Sequence, residues 1–422
     1  TRRQRQMCIR DRFYAIPTFA FLILIEAIVA KIKGLKINRP ADVISSLSSG
    51  ITNTIRDAIK FTFAIVTYSW LVDNIAIYKL DSYWLVLFIA FLVQDFSGYW
   101  VHRLNHRVNI LWNRHFIHHS SEDFNLSCAL RQSISNTIKF SAIFMIPGAL
   151  LGVPASIFAV LGPIHLFMQL WYHTQLIGNL GLLEYVFVTP SHHRVHHAIN
   201  DEYIDKNYGQ ILIVWDKIFG TFQAELKSVP PVYGTLSQAN TWNPILINYK
   251  YFLQLLKDAW RTKNLIDKIK IWFMPTGWRP ADVSKDYPIK KLSNVQNQKK
   301  YDTENSFFLI VFCWIQLIFT LGFMFHMFLV LHQNDISYNY LYAIFIFIGI
   351  FAYTSLLDQS SYAFFAEVMR FIFGLWILQS QNFSWFNING ISIFLFLIIS
   401  MFISAYFHFH IQKPFRLSLV KK

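Results

Sequence analysis

Long apolar blocks dominate this sequence and restrict what it can fold into. They occupy residues 13–31, 56–76, 82–101, 306–328, 339–357, 362–380 and 391–410. Each is close to the roughly 20 residues that a helix needs to cross the hydrocarbon core of a bilayer. A single block could be a buried core helix, but seven of them predict an all-α, polytopic membrane bundle. Only 15% of the residues are charged, whereas soluble proteins carry about 25%.

Two shorter apolar blocks, at about 138–153 and 155–175, contain prolines and glycines near their junction. They predict a helical hairpin that either crosses the bilayer or only enters it.

The formal net charge of +14 is distributed unevenly. Basic residues follow the first and third apolar blocks, fill residues 201–305 and end the chain at Lys413, Arg416, Lys421 and Lys422. The positive-inside rule places these regions on the cytoplasmic side, in a bacterial inner membrane or endoplasmic reticulum depending on the host. Lipid headgroups account for the basic surplus, so no nucleic-acid partner is expected.

Residues 1–12 conflict with this topology, because they would place five arginines on the opposite side. The run resembles an in-frame translation of a sequencing adaptor, and we interpret it as foreign to the fold. The remaining chain divides by composition into four regions. These are an N-terminal membrane hairpin (13–80), a histidine-rich core (81–225), a basic and aromatic interfacial segment (226–305) and a four-span bundle (306–422).

Eleven of the fifteen histidines lie between His102 and His197, and eight of them form three clusters with HxxxH, HxxHH and HxxHH spacing. Spacings of three and four place side chains on one face of a helix, and imidazole is the commonest metal ligand. Eight nitrogens exceed what one four-coordinate ion needs, so the pattern predicts a site for two metals. The predicted ligands are His102, His106, His115, His118, His119, His193, His196 and His197.

Four further residues are candidates for an additional ligand or for a group that orients one. Asp95 and Tyr99 share a helix stripe with the first cluster, and Asp95 could accept a hydrogen bond from a metal-bound imidazole. His173 lies at the end of the predicted short hairpin, where the third cluster is expected to be near. Asp205 follows the third cluster in the sequence. For Asp95 and Asp205 the alternatives are a packing residue and a solvated loop charge. We interpret His165, His192 and the four C-terminal histidines as structural.

The clusters resemble the histidine boxes of the fatty acid hydroxylase and sterol desaturase superfamily, whose members are membrane di-iron enzymes that use dioxygen. Two stretches, HHSSEDFNLS from His118 and TPSHHRVHH ending at His197, are more similar to the alkylglycerol monooxygenases and their bacterial relatives. This resemblance implies two iron ions, dioxygen and a membrane lipid substrate. It also implies hydroxylation of the carbon beside an ether oxygen of an alkylglycerol, which releases a fatty aldehyde.

The resemblance also implies tetrahydrobiopterin as the electron donor, but one residue departs from the pattern. The animal enzymes tend to have glutamate directly after the first box, where this chain has Arg107. The reversed charge weakens the expectation of pterin dependence and leaves the donor open.

Two alternatives remain at this point. One is another enzyme of the superfamily, acting as a sterol, carotenoid or fatty-acyl hydroxylase or desaturase. The other is a membrane metal transporter. Transporters bury ionisable groups near the bilayer midplane, whereas these histidines begin at the end of a predicted span and continue into polar segments.

Overall fold

The structure is a computed structural model that describes residues 2–292 and 294–411, with side chains between residues 13 and 410. This part of the chain is mostly helical. Its α-helices are α1 (Arg2–Ile32), α2 (Pro40–Ala58), α3 (Tyr68–Ile75), α4 (Tyr83–Arg107), α5 (Asn109–His119), α6 (Ile146–Leu150), α7 (Ala155–Leu170), α8 (Pro190–His197), α9 (Val214–Ile218), α10 (Pro244–Arg261), α11 (Leu265–Lys270), α12 (Ala281–Asp286), α13 (Phe307–Val330), α14 (Ile336–Leu357), α15 (Ala363–Ser380) and α16 (Gly390–Tyr406).

Short elements connect these helices. Four two-residue strands form two pairs, in which β1 (Phe63–Ala64) is parallel to β2 (Ile138–Lys139) and β3 (Ser384–Trp385) is antiparallel to β4 (Ile388–Asn389). The 3₁₀ helices are Leu126–Leu130, Ser141–Met145, Gly181–Tyr185 and Val295–Asn297, and a π-helical turn, Phe407–Ile411, follows α16.

Six helices in the described residues are long and apolar enough to cross a membrane. They are Phe13–Ile32 within α1, then α4, α13, α14 and α15, and finally Gly390–His410. The predicted span at 56–76 is wrong. Helix α2 ends at Ala58, Lys60 adopts a left-handed conformation, and the chain then pairs β1 with β2 before the eight-residue α3. The predicted N-terminal hairpin therefore contains one membrane-length helix, α1.

Two short apolar helices, Ser141–Leu150 and α7, occupy the region of the predicted short hairpin. Helix α7 has 16 residues, which at about 1.5 Å per residue is shorter than the roughly 30 Å hydrocarbon core. A straight helix of this length does not reach across the core by itself.

Helix α2 connects the C-terminal bundle to the histidine-rich core. Its buried face is rich in serine rather than leucine. Ser48 shares a hydrogen bond of 2.6 Å with the Tyr353 hydroxyl of α14. On the other side, Ser46 accepts a hydrogen bond of 2.9 Å from the Arg131 side chain. The polar face of α2 therefore fixes the segment that follows α5.

The C-terminal bundle has its own buried polar contacts. Arg370 of α15 lies 2.5 Å from Glu367 and donates to the Gln316 side chain of α13 at 2.8 Å. Gln316 in turn donates to Ser400 of α16 at 2.9 Å. Buried polar groups in membrane helices need such partners, and here they join three helices.

Two elements of the topology argument rest on side chains that the structure does not describe. The basic tail residues Lys413, Arg416, Lys421 and Lys422 belong to the undescribed end, and no side chain of residues 1–12 is described. The interpretation of residues 1–12 as foreign therefore stays a prediction.

Candidate metal centre

Three helices carry the clustered histidines, as the spacing predicts. His102 and His106 occupy the last turns of α4, which ends where Val108 becomes extended. Asn109 fixes the turn into α5 by donating to the carbonyl oxygen of Ile271 at 2.8 Å. Helix α8 begins at Pro190 directly after the extended Thr189, a position where the missing N–H of proline costs nothing.

The structure brings nine histidines into two groups, and within each group one ligand atom per residue lies within 4.8 Å of all the others. The first histidine group contains His102, His106, His115, His119 and His196. The second histidine group contains His118, His173, His193 and His197. All eight predicted ligands are included, and His173 is the ninth member. Eight ligands shared between two metals would give four histidines each, whereas the two groups contain five and four.

Adjacent histidines divide between the groups. His118 belongs to the second and His119 to the first, and His196 and His197 divide in the same way. Neighbouring residues on a helix point about 100° apart, so each pair can serve two centres. The groups touch through the stacked rings of His119 and His197, whose centroids are 4.3 Å apart.

Backbone carbonyls orient two rings of the first histidine group. His102 Nδ1 donates to the Tyr208 carbonyl at 2.8 Å, and His196 Nδ1 donates to the Lys206 carbonyl at 2.9 Å. Because a carbonyl only accepts, the proton lies on Nδ1 and the Nε2 lone pair is free to bind a metal. The Nε2 atoms of His106, His119 and His196 are buried and have no hydrogen-bond partner among the described residues.

The second histidine group is arranged in the same way. His118 Nδ1 donates to the Arg131 carbonyl at 3.2 Å, and His173 Nδ1 donates to the Gln169 carbonyl at 3.0 Å. The Nε2 atoms then converge. Those of His173 and His193 are 2.8 Å apart, and those of His193 and His197 are 3.1 Å apart.

Burial keeps these imidazoles neutral. For histidines outside the candidate spans, burial lowers the pKa most, and the neighbouring imidazoles lower it further in most cases. The pKa falls to about 4 for His173 and well below its ordinary value for His115, His118, His119, His193, His196 and His197. A neutral imidazole is the form that binds a metal, so both groups are ready for one at pH 7.

Both groups fit metal ions on this geometry. Buried nitrogens normally have hydrogen-bond partners, and unpaired Nε2 atoms facing one another are explained by a cation between them. Imidazole sets suit iron, zinc, copper or nickel, and the ligand atoms alone do not select among these metals.

Asp205 lies beside the first histidine group, as the sequence allowed. Its carboxylate is 3.6 Å from His106 Nδ1 and accepts a hydrogen bond of 2.8 Å from Arg107. Burial raises the pKa of Asp205, but the contacts with His106 and Arg107 outweigh burial and hold that pKa below its ordinary value. The carboxylate is therefore charged and faces the outer nitrogen of His106.

We expect Asp205→Asn to weaken metal binding at the first histidine group by about 10–100-fold, because the group that orients His106 loses its charge. Asparagine tolerates the left-handed backbone at this position, so the loop should keep its shape. Competition with a chelator of known affinity measures the effect. Asp201→Asn, in the exposed part of the same loop, is the matched control. Equal affinities of the two variants would contradict this role.

Asp95 and Tyr99 lie elsewhere than the sequence suggested. The Asp95 carboxylate accepts hydrogen bonds from the His165 ring and the Trp215 indole, both at 2.9 Å, rather than from a histidine of either group. The Tyr99 hydroxyl pairs with Thr221 at 3.0 Å. Both residues contact the 208–221 segment from the same face of α4 as His102, but they lie nearer the start of that helix.

That segment still connects Tyr99 to the metal centre indirectly. Thr221 donates to Asp216 at 2.6 Å, and Asp216 also accepts the backbone N–H of Tyr208 at 2.8 Å. The Tyr208 carbonyl is the group that orients His102. Tyr99 and Asp216 therefore hold the loop that fixes a predicted ligand.

Sequence reasoning missed Glu26. This buried residue of α1 accepts the Thr174 hydroxyl at 2.5 Å and the Leu126 N–H at 2.6 Å, directly beside His173. An acid inside an apolar membrane helix usually has a partner, and that signal was present in the sequence.

Among the described residues, the remaining histidines lie outside both histidine groups. His165 pairs with Asp95, and His326 contacts the Tyr342 hydroxyl at 2.9 Å. The ring of His192 lies 3.7 Å from the Glu184 carboxylate. Among the described residues, neither metal-binding group includes His332, His408 or His410.

Comparison with known proteins indicates the class of protein to which this centre belongs. Residues 87–221 match the family model described as fatty acid hydroxylase. That range contains both histidine groups, so the candidate centre lies within the region that is similar to fatty acid hydroxylases. No solved structure gives a significant match.

Three relatives narrow the class. The chain is 42% identical over 270 residues to the alkylglycerol monooxygenase of Homo sapiens, covering 63% of this chain and 60% of the relative. It is 36% identical over 315 residues to that of Xenopus tropicalis, covering 74% and 69%. The ornithine lipid hydroxylase OlsE of Rhizobium tropici is 33% identical over 134 residues, covering 32% and 40%. The chain belongs to the alkylglycerol monooxygenase family. The match spans less than two thirds of the human protein's length.

Proposed function

We propose that this protein is a membrane di-iron monooxygenase that oxidises alkylglycerols at the carbon beside the ether oxygen and releases a fatty aldehyde. The observation that carries the proposal is the pair of touching, buried histidine groups in a chain related to alkylglycerol monooxygenases. Iron is the metal favoured by the family, and bound iron would supply the activation of dioxygen.

The chain's own contribution is to hold, orient and enclose this centre. Nine imidazoles from α4, α5, α8 and the turn that follows α7 converge on it, and backbone carbonyls fix four of the rings. The rings of Phe124 and Tyr172 cover the second histidine group, with centroids 5.2 Å from His197 and 4.2 Å from His193 respectively. Such aromatic walls keep water away from a reactive oxidant.

The proposed reaction balances with a two-electron donor. One atom of dioxygen becomes a hydroxyl on the ether carbon, and the other leaves as water with two electrons and two protons. The resulting hemiacetal breaks its bond to the glycerol oxygen, and its hydroxyl proton moves to that oxygen. The products are a fatty aldehyde and glycerol or a glycerol derivative.

The electron donor and the membrane face are part of the proposal. Arg107 bonds Asp205 and is half-exposed, so it presents a cation where the animal pattern has a carboxylate. The proposed function therefore allows an electron donor other than tetrahydrobiopterin. The basic residues at the end of α4 and in residues 201–305 favour a cytoplasmic site, where an amphipathic lipid presents its ether group and keeps its tail in the bilayer.

The proposal is tested with purified, iron-loaded protein and an alkylglycerol labelled in its alkyl chain. We expect labelled fatty aldehyde, formed only with dioxygen and a reductant, and tetrahydrobiopterin and a general reductant are compared as separate arms. A sterol and a free fatty acid are the control substrates. Oxidation of a control substrate instead, or metal flux in vesicles without lipid oxidation, would contradict the proposal.

A further inference from the structure

An apolar cavity of about 260 Å³ lies beside the second histidine group. The end of α7 forms one wall and the loop of residues 178–188 forms the opposite wall. We propose that this cavity holds the alkyl chain of the lipid substrate, with Tyr172 as the partition between the chain and His193. The inference rests on the proposed function, since it names where the tail of that substrate lies.

The lining of the cavity suits a hydrocarbon. Met168, Trp171, Leu183 and Phe187 present apolar surface, and the polar side chains of Gln210 and Thr189 have hydrogen-bond partners. Gln210 accepts a hydrogen bond from Gln169 at 3.1 Å. An apolar pocket with satisfied polar groups favours an apolar ligand.

The cavity opens toward an apolar exterior. Leu183 is 54% exposed and Phe187 is 40% exposed, while Leu166 and Phe167 on α7 are also exposed. A contiguous apolar surface of this kind on a membrane protein faces lipid. A chain could therefore move from the bilayer into the cavity without crossing water.

The inner end of the cavity touches the candidate metal centre. Tyr172 lines the cavity, is buried, and its ring centroid lies 4.2 Å from that of His193. The same side chain therefore contacts both the space for the chain and an imidazole of the second histidine group.

Hydrogen bonds fix the position of the loop of residues 178–188, the wall opposite α7, relative to α8. The Glu184 carboxylate accepts hydrogen bonds from Thr189 at 2.9 Å and from Ser191 at 2.6 Å, at the start of the helix that carries His193. Farther along the wall, Val188 N–H donates to the Ile211 carbonyl at 2.7 Å. The cavity is thus pre-formed, which lowers the entropic cost of binding a flexible chain.

The test uses an alkylglycerol with a photoreactive diazirine in its alkyl chain, bound without dioxygen so that no turnover is needed. In the unmodified protein, we expect the label on Met168 or Trp171, and unlabelled long-chain alkylglycerol should compete for it. Leu183→Trp fills the cavity and should reduce labelling about tenfold. Leu182→Trp is the matched control, because Leu182 is 84% exposed and does not line the cavity.

Label found away from the cavity, or equal labelling of the two variants, would overturn the inference. Site mapping in the unmodified protein decides the question even if Leu183→Trp does not fold. Labelling in the cavity without any alkylglycerol oxidation by iron-loaded protein would instead count against the proposed function and leave the cavity as an alkyl-chain site.

Discussion

His118→Ala and His119→Ala should each weaken the binding of one metal ion, and they should affect different ions. The residues are adjacent on α5, yet His118 belongs to the second histidine group and His119 to the first. His118→Ala leaves three ligands in its group, whereas His119→Ala leaves four, so metal loss should be greater for His118→Ala. Activity should fall at least about 100-fold in both, because losing a ligand exceeds the effect of losing a group that only orients one.

Metal content per chain and lipid oxidation measure these effects together. His408→Ala is the control, because His408 lies outside both groups and should leave metal content unchanged. The double variant His118→Ala/His119→Ala should retain less metal than either single variant. Full activity in either single variant, or loss of half the metal in His408→Ala, would contradict the assignment of ligands.

Asp95→Ala should destabilise the fold by about 3–5 kcal/mol, since removing one partner of a buried polar cluster leaves the others unpaired. Asp95 is fully buried in α4. Its carboxylate accepts the Ile211 N–H at 2.9 Å and the Leu212 N–H at 3.1 Å, in addition to the His165 ring and Trp215. All four donors would lose their acceptor at once.

Thermal unfolding in detergent measures this loss, with Asp73→Ala in the exposed part of α3 as the matched control. Asp95→Asn keeps the shape and one acceptor oxygen, so its melting temperature should lie between those of the alanine variant and the unmodified protein. The effect should reach the second histidine group, because the His165 ring contacts the Gln169 side chain at 2.8 Å and the Gln169 carbonyl orients His173. A melting temperature of Asp95→Ala equal to that of Asp73→Ala would contradict this account.

The sequence pattern predicts the local arrangement of the metal centre well. Spacings of three and four place the clusters on α4, α5 and α8, and the 100° between adjacent residues predicts the division of His118 from His119. These features depend on residues a few positions apart, which a periodic pattern reports directly.

Features that depend on residues far apart in the sequence are harder to predict from the sequence pattern. The apolar block at 56–76 has the hydropathy of a span, but Phe63 instead pairs with Ile138, a contact 75 residues away that hydropathy does not report. The partners of Asp95 come from α7 and from residues 211–215. The carbonyls that orient His102 and His118 belong to backbone, so no side-chain pattern marks them.

Iron titration of the unmodified protein tests the central claim most directly. Metal-free protein is titrated with ferrous iron in the absence of dioxygen, and bound iron is counted per chain. The two histidine groups predict two tightly bound ions per chain. One ion, no ion, or two ions that persist in His118→Ala/His119→Ala would contradict a paired centre built from these residues.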